Sequence, residues 1–389
     1  MNAKLIIETQ KQYFKTRATR DVGMLKKLLG NLRSEILTKE EAIYEALYKD
    51  FKKSKFEAYF SEVGIIISEI DATLKHIDSW SKPKRIRAAG LNFPSRDYIY
   101  SEPYGVVLVI APWNYPFQLA VAPVIAAIAS GNTVVLKPSE HTTHTSQLLE
   151  DILNAVFIPE HLKVVQGGIP ETTLLLKERW DYIFFTGSVP VGKIVAKAAA
   201  PFLTPLTLEL GGKNPCIIDG SMSTQLTAKR LVWGKFVNAG QTCIAPDYLL
   251  VHTSVKAKLI SDLKTEITKA YGENPQESAD YPRIVNTANL SRLTKMLTDS
   301  KVVFGGTYDT NDCYLAPTLI DEPSMDSEVM KDEIFGPILP ILSYETEADI
   351  QSVLSQYDKP LGFYVFSNNK SFYKKMIETY SFGGGTIND

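Results

Sequence analysis

Residues 105–138 read GVVLVIAPWNYPFQLAVAPVIAAIASGNTVVLKP. An unbroken apolar run opens the stretch, and no polar residue alternates within it. An apolar segment of helical length, FQLAVAPVIAAIASG, closes on Gly131, and a second apolar run, TVVL, follows. Strands buried on both faces read this way, because a parallel sheet covered by helices has no solvated side. The stretch therefore predicts strand, helix, strand, the repeating unit of a parallel α/β sheet.

The pattern continues outward. THTSQLLEDILNAVF predicts a helix, LKVVQGG a strand, PETTLLLKER a helix, YIFFTGS a strand and VPVGKIVAKAAA a helix. A second α/β region follows: LVWGKFV helical, YLLVH a strand, VKAKLISDLKTEITKAYG a helix, then PILPILSY and LGFYVFS as strands, each followed by a helix. On the N-terminal side the first eighty residues read as helices, with Leu25, Leu28, Leu29, Leu32 and Ile36 at helical spacing. Between these helices and the first strand lie a basic, broken stretch and the alternating segment DYIYSEPY (97–104), which predicts a short strand or hairpin arm at an exposed edge.

The bulk properties limit what the chain can do. Its 389 residues are 44% hydrophobic and 22% charged, with a net charge of −2, so no basic excess is available to neutralise a nucleic acid backbone. Three cysteines, Cys216, Cys243 and Cys313, form neither a disulfide framework nor, with the five histidines, a cluster at metal spacing. No signal peptide opens the chain, and the most apolar stretch, Leu119 to Ser130, is too short for a membrane span. The expectation is a cytoplasmic protein with no metal, no nucleic acid partner and no membrane anchor.

Gly187-Ser-Val-Pro-Val-Gly-Lys193 has the glycine spacing of an ATP-binding phosphate loop. Ile194 stands where that loop needs a magnesium-binding Ser or Thr, and Pro190 removes a backbone N–H. Ser188 fits better as a helix N-cap with Pro190 in the first turn. Such a helix start still attracts an anion, including a dinucleotide phosphate.

Cys243, in VNAGQTCIAPDY, is the candidate nucleophile, because Gly240 allows close approach and polar Gln241 and Thr242 are unusual beside a core thiol. A plain buried cysteine is the competing reading. Cys216, within an apolar strand, reads as core, and Cys313 as loop. Glu209, flanked by leucines in LTLEL, is a candidate general base if its surroundings desolvate it; otherwise it is a strand-end carboxylate facing water. Asn114, between Pro112 and Pro116, is either a fixed amide donor for an oxyanion or an ordinary turn residue.

PWNYP, KPSE, FTGS, LELGGKNP, GQTC and EIFGPILP, in this order and at these spacings, resemble the aldehyde dehydrogenase superfamily, most closely its class 3 branch. The resemblance implies an α/β protein: a Rossmann-like cofactor domain over 1–81 and 104–209, a small β oligomerisation arm over 82–103, and an α/β catalytic domain over 210–389. It implies oxidation of an aldehyde to a carboxylic acid. Cys243 would form a thiohemiacetal and then a thioester, Asn114 would stabilise the oxyanion, and Glu209 would activate the hydrolytic water. Lys137 and Glu140 would hold the adenine ribose; Trp113, Gly187, Ser188, Val191 and Gly192 would receive the pyrophosphate and its neighbours. Glu333, with Phe335 beside it, would hold the nicotinamide ribose, and Tyr115 and Trp233 would line the substrate tunnel. NAD is the implied cofactor, with NADP also accepted in the branch, and a homodimer the implied assembly. Family members continue past GGGTIND. A tail lost at this point would leave the 97–104 edge unpaired, and the chain less stable and less active. The competing functions are a catalytically impaired homologue that keeps the fold, and a cysteine hydrolase that uses no cofactor.

Overall fold

The structure, a computed structural model, describes residues 2–389. The chain forms two compact units, one of residues 1–50 and 58–209, the other of residues 51–57 and 210–389.

In the first unit the N-terminal helices begin on side-chain caps. Asn2 accepts the Leu5 N–H at 3.1 Å, and Asp21 accepts those of Gly23 and Met24 at 2.9 and 3.2 Å. The helix Val22–Thr38 buries Leu25, Leu29, Leu32 and Ile36, a single stripe at the expected spacing, while Leu28 is half-buried beside it. Each fully buried leucine contributes about 1.5–3 kcal/mol relative to an exposed one.

Strands β1 (Lys84–Ile86) and β2 (Asp97–Ile99) pair antiparallel as a separate, largely exposed two-stranded arm that groups with this unit. The main sheet contains β3 (Val106–Ile110), β4 (Thr133–Lys137), β5 (Leu162–Val164), β6 (Tyr182–Gly187) and β7 (Leu206–Leu210) in the order β5-β4-β3-β6-β7. β3 runs parallel to β4 and β6, and β4 to β5. Every residue of β3 and β4 is buried, which is why both read as unbroken apolar runs. Between them the helix Gln118–Ala129 starts where the Glu62 carboxylate accepts the N–H groups of Phe117 and Gln118 at 2.8 and 3.2 Å. An anion at a helix N-terminus satisfies donors that have no partner within the helix.

The second unit holds β8 (Pro215–Ile218), β9 (Tyr248–His252), β10 (Val302–Phe304), β11 (Tyr308–Asp309), β12 (Tyr314–Leu315), β13 (Thr318–Asp321), β14 (Ile338–Tyr344), β15 (Gly362–Phe366) and β16 (Gly384–Ile387). Seven of these form one sheet, ordered β10-β13-β14-β9-β8-β15-β16, in which only β10 pairs antiparallel; β11 and β12 form a small hairpin. The glycine-rich end GGGTIND supplies β16 on the edge of this sheet. Residues 51–57, placed by sequence in the first domain, group with the second unit. The Phe51 carbonyl accepts the Arg283 N–H at 2.8 Å, Lys52 pairs with Asp312 at 2.5 Å, and the Glu57 carboxylate accepts the Asn238 N–H at 3.3 Å.

Candidate active site

In the second unit the helix Thr224–Phe236 runs into a turn at Val237–Gly240 that precedes Cys243. Asn238 and Ala239 both adopt left-handed backbone there, with φ of 55° and 51°. Each such residue costs about 1–2 kcal/mol, so the surroundings must hold the turn. Amides do so. Asn238 Nδ2 donates to the Gln241 carbonyl at 3.1 Å, Gln241 Nε2 donates to the carbonyls of Asn238 and Arg283 at 3.0 Å each, and Gln241 Oε1 accepts the Val285 N–H at 3.0 Å. At Gly240 φ is +71°, and a Cβ there would lie 2.3 Å from the Gly336 carbonyl oxygen, so the expected close approach is to backbone.

Beyond the turn three successive carbonyls are tied down. Asn214 Nδ2 donates to those of Cys243 and Ala245, at 2.8 and 3.0 Å, and the Tyr364 hydroxyl donates to that of Ile244. Burial raises the Tyr364 hydroxyl well above its ordinary value, so it remains a donor. Cys243 is half-buried on this pinned loop. Cys216 is wholly buried in β8, and burial pushes its thiol well above the ordinary range. Cys313 lies in the β11–β12 turn, its thiol raised by burial and then by Asp312 and Asp309.

The same unit contains a buried charge cluster. Burial pushes the Glu333 carboxyl up to about 7; Asp247 adds to the shift, while the Gly212 N–H, Lys235 and Arg292 oppose it. Glu333 Oε1 is buried without a hydrogen-bond partner. Lys235 is 1% exposed, and burial lowers its ammonium to about 8. Lys213 pairs with Asp247 at 2.5 Å, both side chains being 4% exposed. Phe335, next to Glu333, has a φ of 49° and is half-buried. Trp233 is 46% exposed, with its ring edge-on to Phe56 at 6.2 Å.

In the first unit Lys137 is 3% exposed at the end of β4. Its Nζ donates to the Pro138 carbonyl at 2.7 Å and to Glu140 at 3.0 Å. Burial works to raise the Glu140 carboxyl, but its own backbone N–H and Lys137 outweigh that and hold it below the usual range. Gly187 ends β6, where a Cβ would meet the Phe185 ring at 2.6 Å. Ser188 occupies the N-cap of the helix Val189–Ala199, with Pro190 in the first turn. The Ser188 carbonyl accepts the Gly192 N–H at 2.9 Å as the first intrahelical bond, and its hydroxyl makes no cap bond. Val191 is exposed and Gly192 buried. Asn114 is 3% exposed between its two prolines, with Trp113 and Tyr115 half-buried on either side.

The Aldehyde dehydrogenase family matches this chain over residues 1–389. The chain belongs to the aldehyde dehydrogenase family. It is 45% identical over 381 residues to a 4,4'-diaponeurosporen-aldehyde dehydrogenase of Staphylococcus aureus, covering 97% of this chain and 83% of that one. With the mouse enzyme named aldehyde dehydrogenase, dimeric NADP-preferring, identity is 41% over 388 residues, 100% of this chain and 86% of the relative. Among solved structures it is similar to the substrate-bound state of Staphylococcus aureus AldH, with a TM-score of 0.97 at 44% identity over 99% of this chain and 85% of that one. A NAD-dependent aldehyde dehydrogenase from Sinorhizobium meliloti gives a TM-score of 0.89 at 26% identity over 100% and 79%. As a member of this family the chain is an NAD(P)-dependent oxidoreductase that oxidises an aldehyde to an acid.

For Glu209 in this aldehyde dehydrogenase the sequence left two surroundings open, and the structure has the solvent-facing one. Glu209 is exposed on β7, so the desolvation expected from its leucine neighbours is absent. The leucines alternate with it along the strand and occupy other positions on the pleat, leaving its side chain in water. Among the candidate site residues, Glu333 is the carboxyl that burial raises. Sequence reasoning also passed over Lys213, Asn214, Lys235, Asp247 and Tyr364. The available signal was a polar residue in apolar text: the lysine of LVWGKFV and the Lys-Asn pair before PCII.

Proposed function

We propose that this aldehyde dehydrogenase works through Cys243. The thiolate adds to the aldehyde carbonyl carbon, giving a thiohemiacetal whose oxygen carries the negative charge. The Asn114 amide donates to that oxygen, in a role where a single donor contributes about 3 kcal/mol in comparable sites. The charge collapses back to a carbonyl as the C–H bond gives up its hydride, leaving a thioester on Cys243. NAD(P)+, when bound, accepts that hydride. Glu209, the exposed carboxylate at the end of β7, takes a proton from water as it attacks the thioester and returns it as the Cys243 sulfur departs, so the carboxylic acid and the Cys243 thiol are released.

The dinucleotide finds fitting partners in each unit. Glu333 Oε1, a buried acceptor without a partner, suits a ribose hydroxyl. Lys137 and Glu140 offer a donor and an acceptor to the second ribose, and Glu140 disfavours a 2′-phosphate, so NAD is preferred. Trp113, Gly187, Ser188, Val191, Gly192 and Phe335 complete the cofactor residues, and Tyr115 and Trp233 the walls of the aldehyde channel. The exposed β1–β2 arm is the proposed homodimer surface, and the free cysteines suit a cytoplasmic setting. No helix among the described residues is long and apolar enough to cross a membrane.

The observation that carries this reading is Cys243, half-buried on a loop where its own carbonyl and the next two are held by Asn214 and Tyr364. NAD and NADP reduction at 340 nm over short, long-chain and aromatic aldehydes tests it, with Cys243→Ser alongside. Turnover that survives the substitution overturns it.

A further inference from the structure

Between β7 and β8 the chain carries two adjacent buried polar residues, Lys213 and Asn214, 6% and 1% exposed. They reach in different directions. Asn214 holds the nucleophile loop through Nδ2, which donates to the Cys243 and Ala245 carbonyls, and its own carbonyl accepts the Asp247 N–H at 2.8 Å. Its Oδ1 accepts the Gly362 N–H at 2.8 Å, so the amide cannot turn without losing a partner. Lys213 Nζ donates to the carbonyls of Val329 and Asp332 at 2.6 and 2.9 Å and pairs with Asp247 Oδ2. Asp247 Oδ1 in turn accepts the Ile334 N–H at 2.9 Å. Glu333 is thus bracketed: the residue before it is held by Lys213, and the residue after it by Lys213's ion-pair partner.

We propose that Lys213 and Asn214 are positioning residues: Asn214 aims the Cys243 thiol, Lys213 fixes the Glu333 carboxylate, and their adjacency locks the two in one register. This rests on the reading of Cys243 as nucleophile and Glu333 as dinucleotide ligand. The held Cys243 carbonyl fixes the peptide plane after its Cα, and the Thr242 carbonyl, which accepts the Ala245 N–H at 3.0 Å, fixes the plane before it; together they set the direction of the Cys243 Cα–Cβ bond. A buried lysine–carboxylate pair is a poor source of net stability, since well-packed apolar residues of similar volume do as well or better. The same pair fully hydrogen-bonded is rigid, and rigid placement is what a reacting thiol and a ligand carboxylate require.

The test uses the full chain and three variants, Asn214→Ala, Asn214→Ser and Lys213→Met. It reads the rate and pH profile of Cys243 alkylation by iodoacetamide, NAD binding by tryptophan fluorescence, kcat, and the melting temperature. Both Asn214 variants should slow Cys243 alkylation and lower kcat about tenfold or more, with NAD affinity changed less than about twofold. Lys213→Met should show the opposite split, weakening NAD about tenfold while alkylation stays within about twofold. The serine variant is read if the alanine variant does not fold. The proposal is overturned if a folded Asn214→Ser alkylates and turns over within about twofold of the parent. It is equally overturned if every readout falls together in step with melting temperature, which is the mark of a purely structural role. Absence of Cys243-dependent NAD reduction in the parent would defeat the proposed function instead, and Asn214 dependence of alkylation would still decide the aiming of the thiol.

Discussion

The Glu333 carboxylate lies so close to Gly211 that a Cβ built on that glycine would stand 2.2 Å from both of its oxygens. No other residue type fits at 211 while the carboxylate stays in place. Gly211→Ala should displace Glu333, raise KM for the dinucleotide about tenfold and destabilise the chain by about 1–3 kcal/mol, as overpacking does. Steady-state kinetics and a thermal melt check this. Gly90→Ala is the control, because nothing lies within 4 Å of a Cβ built there.

The burial of Glu333 also has a pH signature. Its carboxyl moves from 4.5 to about 7 on folding, so the native state holds the proton more tightly than the unfolded chain. The stability tied to that proton is fully present below pH 4.5 and is lost as pH rises through about 7. The loss is on the order of 3 kcal/mol, and Glu333→Gln should abolish it. Lys235 has the opposite sign and a higher window: its neutral form is favoured on folding, so stability tied to it rises between about 8 and 10.5. Urea midpoints of both proteins at pH 5, 6 and 7.5 therefore isolate Glu333. Parallel curves for parent and variant would contradict its burial.

Thiol chemistry should distinguish the three cysteines. Cys216 is wholly buried and the Cys313 thiol is raised by burial and then by two aspartates, so in the folded chain iodoacetamide should label Cys243 first, with activity lost as one thiol is modified. Cys216 should be labelled only after unfolding. Peptide mapping at half-inactivation reads the order. Cys243→Ser should lower kcat by roughly 10³-fold or more.

Glu140 is held ionised beside Lys137, so it presents a negative charge to any 2′-phosphate. Like charges near 4 Å in a water-rich site repel by about 1 kcal/mol. Glu140→Gln should therefore raise the NADP to NAD ratio of kcat/KM roughly fivefold. The two values measured on one preparation decide it; an unchanged ratio would remove Glu140 from cofactor selection.

Much of this was legible in order along the chain. Helices and central strands announce themselves by period: 22–38 by its leucine stripe, 106–110 and 133–137 by unbroken apolar runs. The edge strands were not legible. Val302–Phe304 and Tyr308–Asp309 are too short to show a period, and half of Gly384–Ile387 is glycine; pairing with 318–321, 314–315 and 362–366 respectively defines them.

The amino-acid sequence by itself determined the α/β alternation, the aldehyde dehydrogenase motifs and the choice of Cys243 over Cys216 as candidate nucleophile, because each depends on residues close together in the chain. Tertiary structure alone decided which carboxylate is desolvated. Glu209 lies between leucines and Glu333 directly follows Lys331 and Asp332, yet the first is exposed, while the second is pushed up to about 7 against Gly211 and Asp247. Desolvation is a property of what packs around a group in space, and the atoms that surround Glu333 come from segments about ninety and a hundred and twenty residues away in the chain.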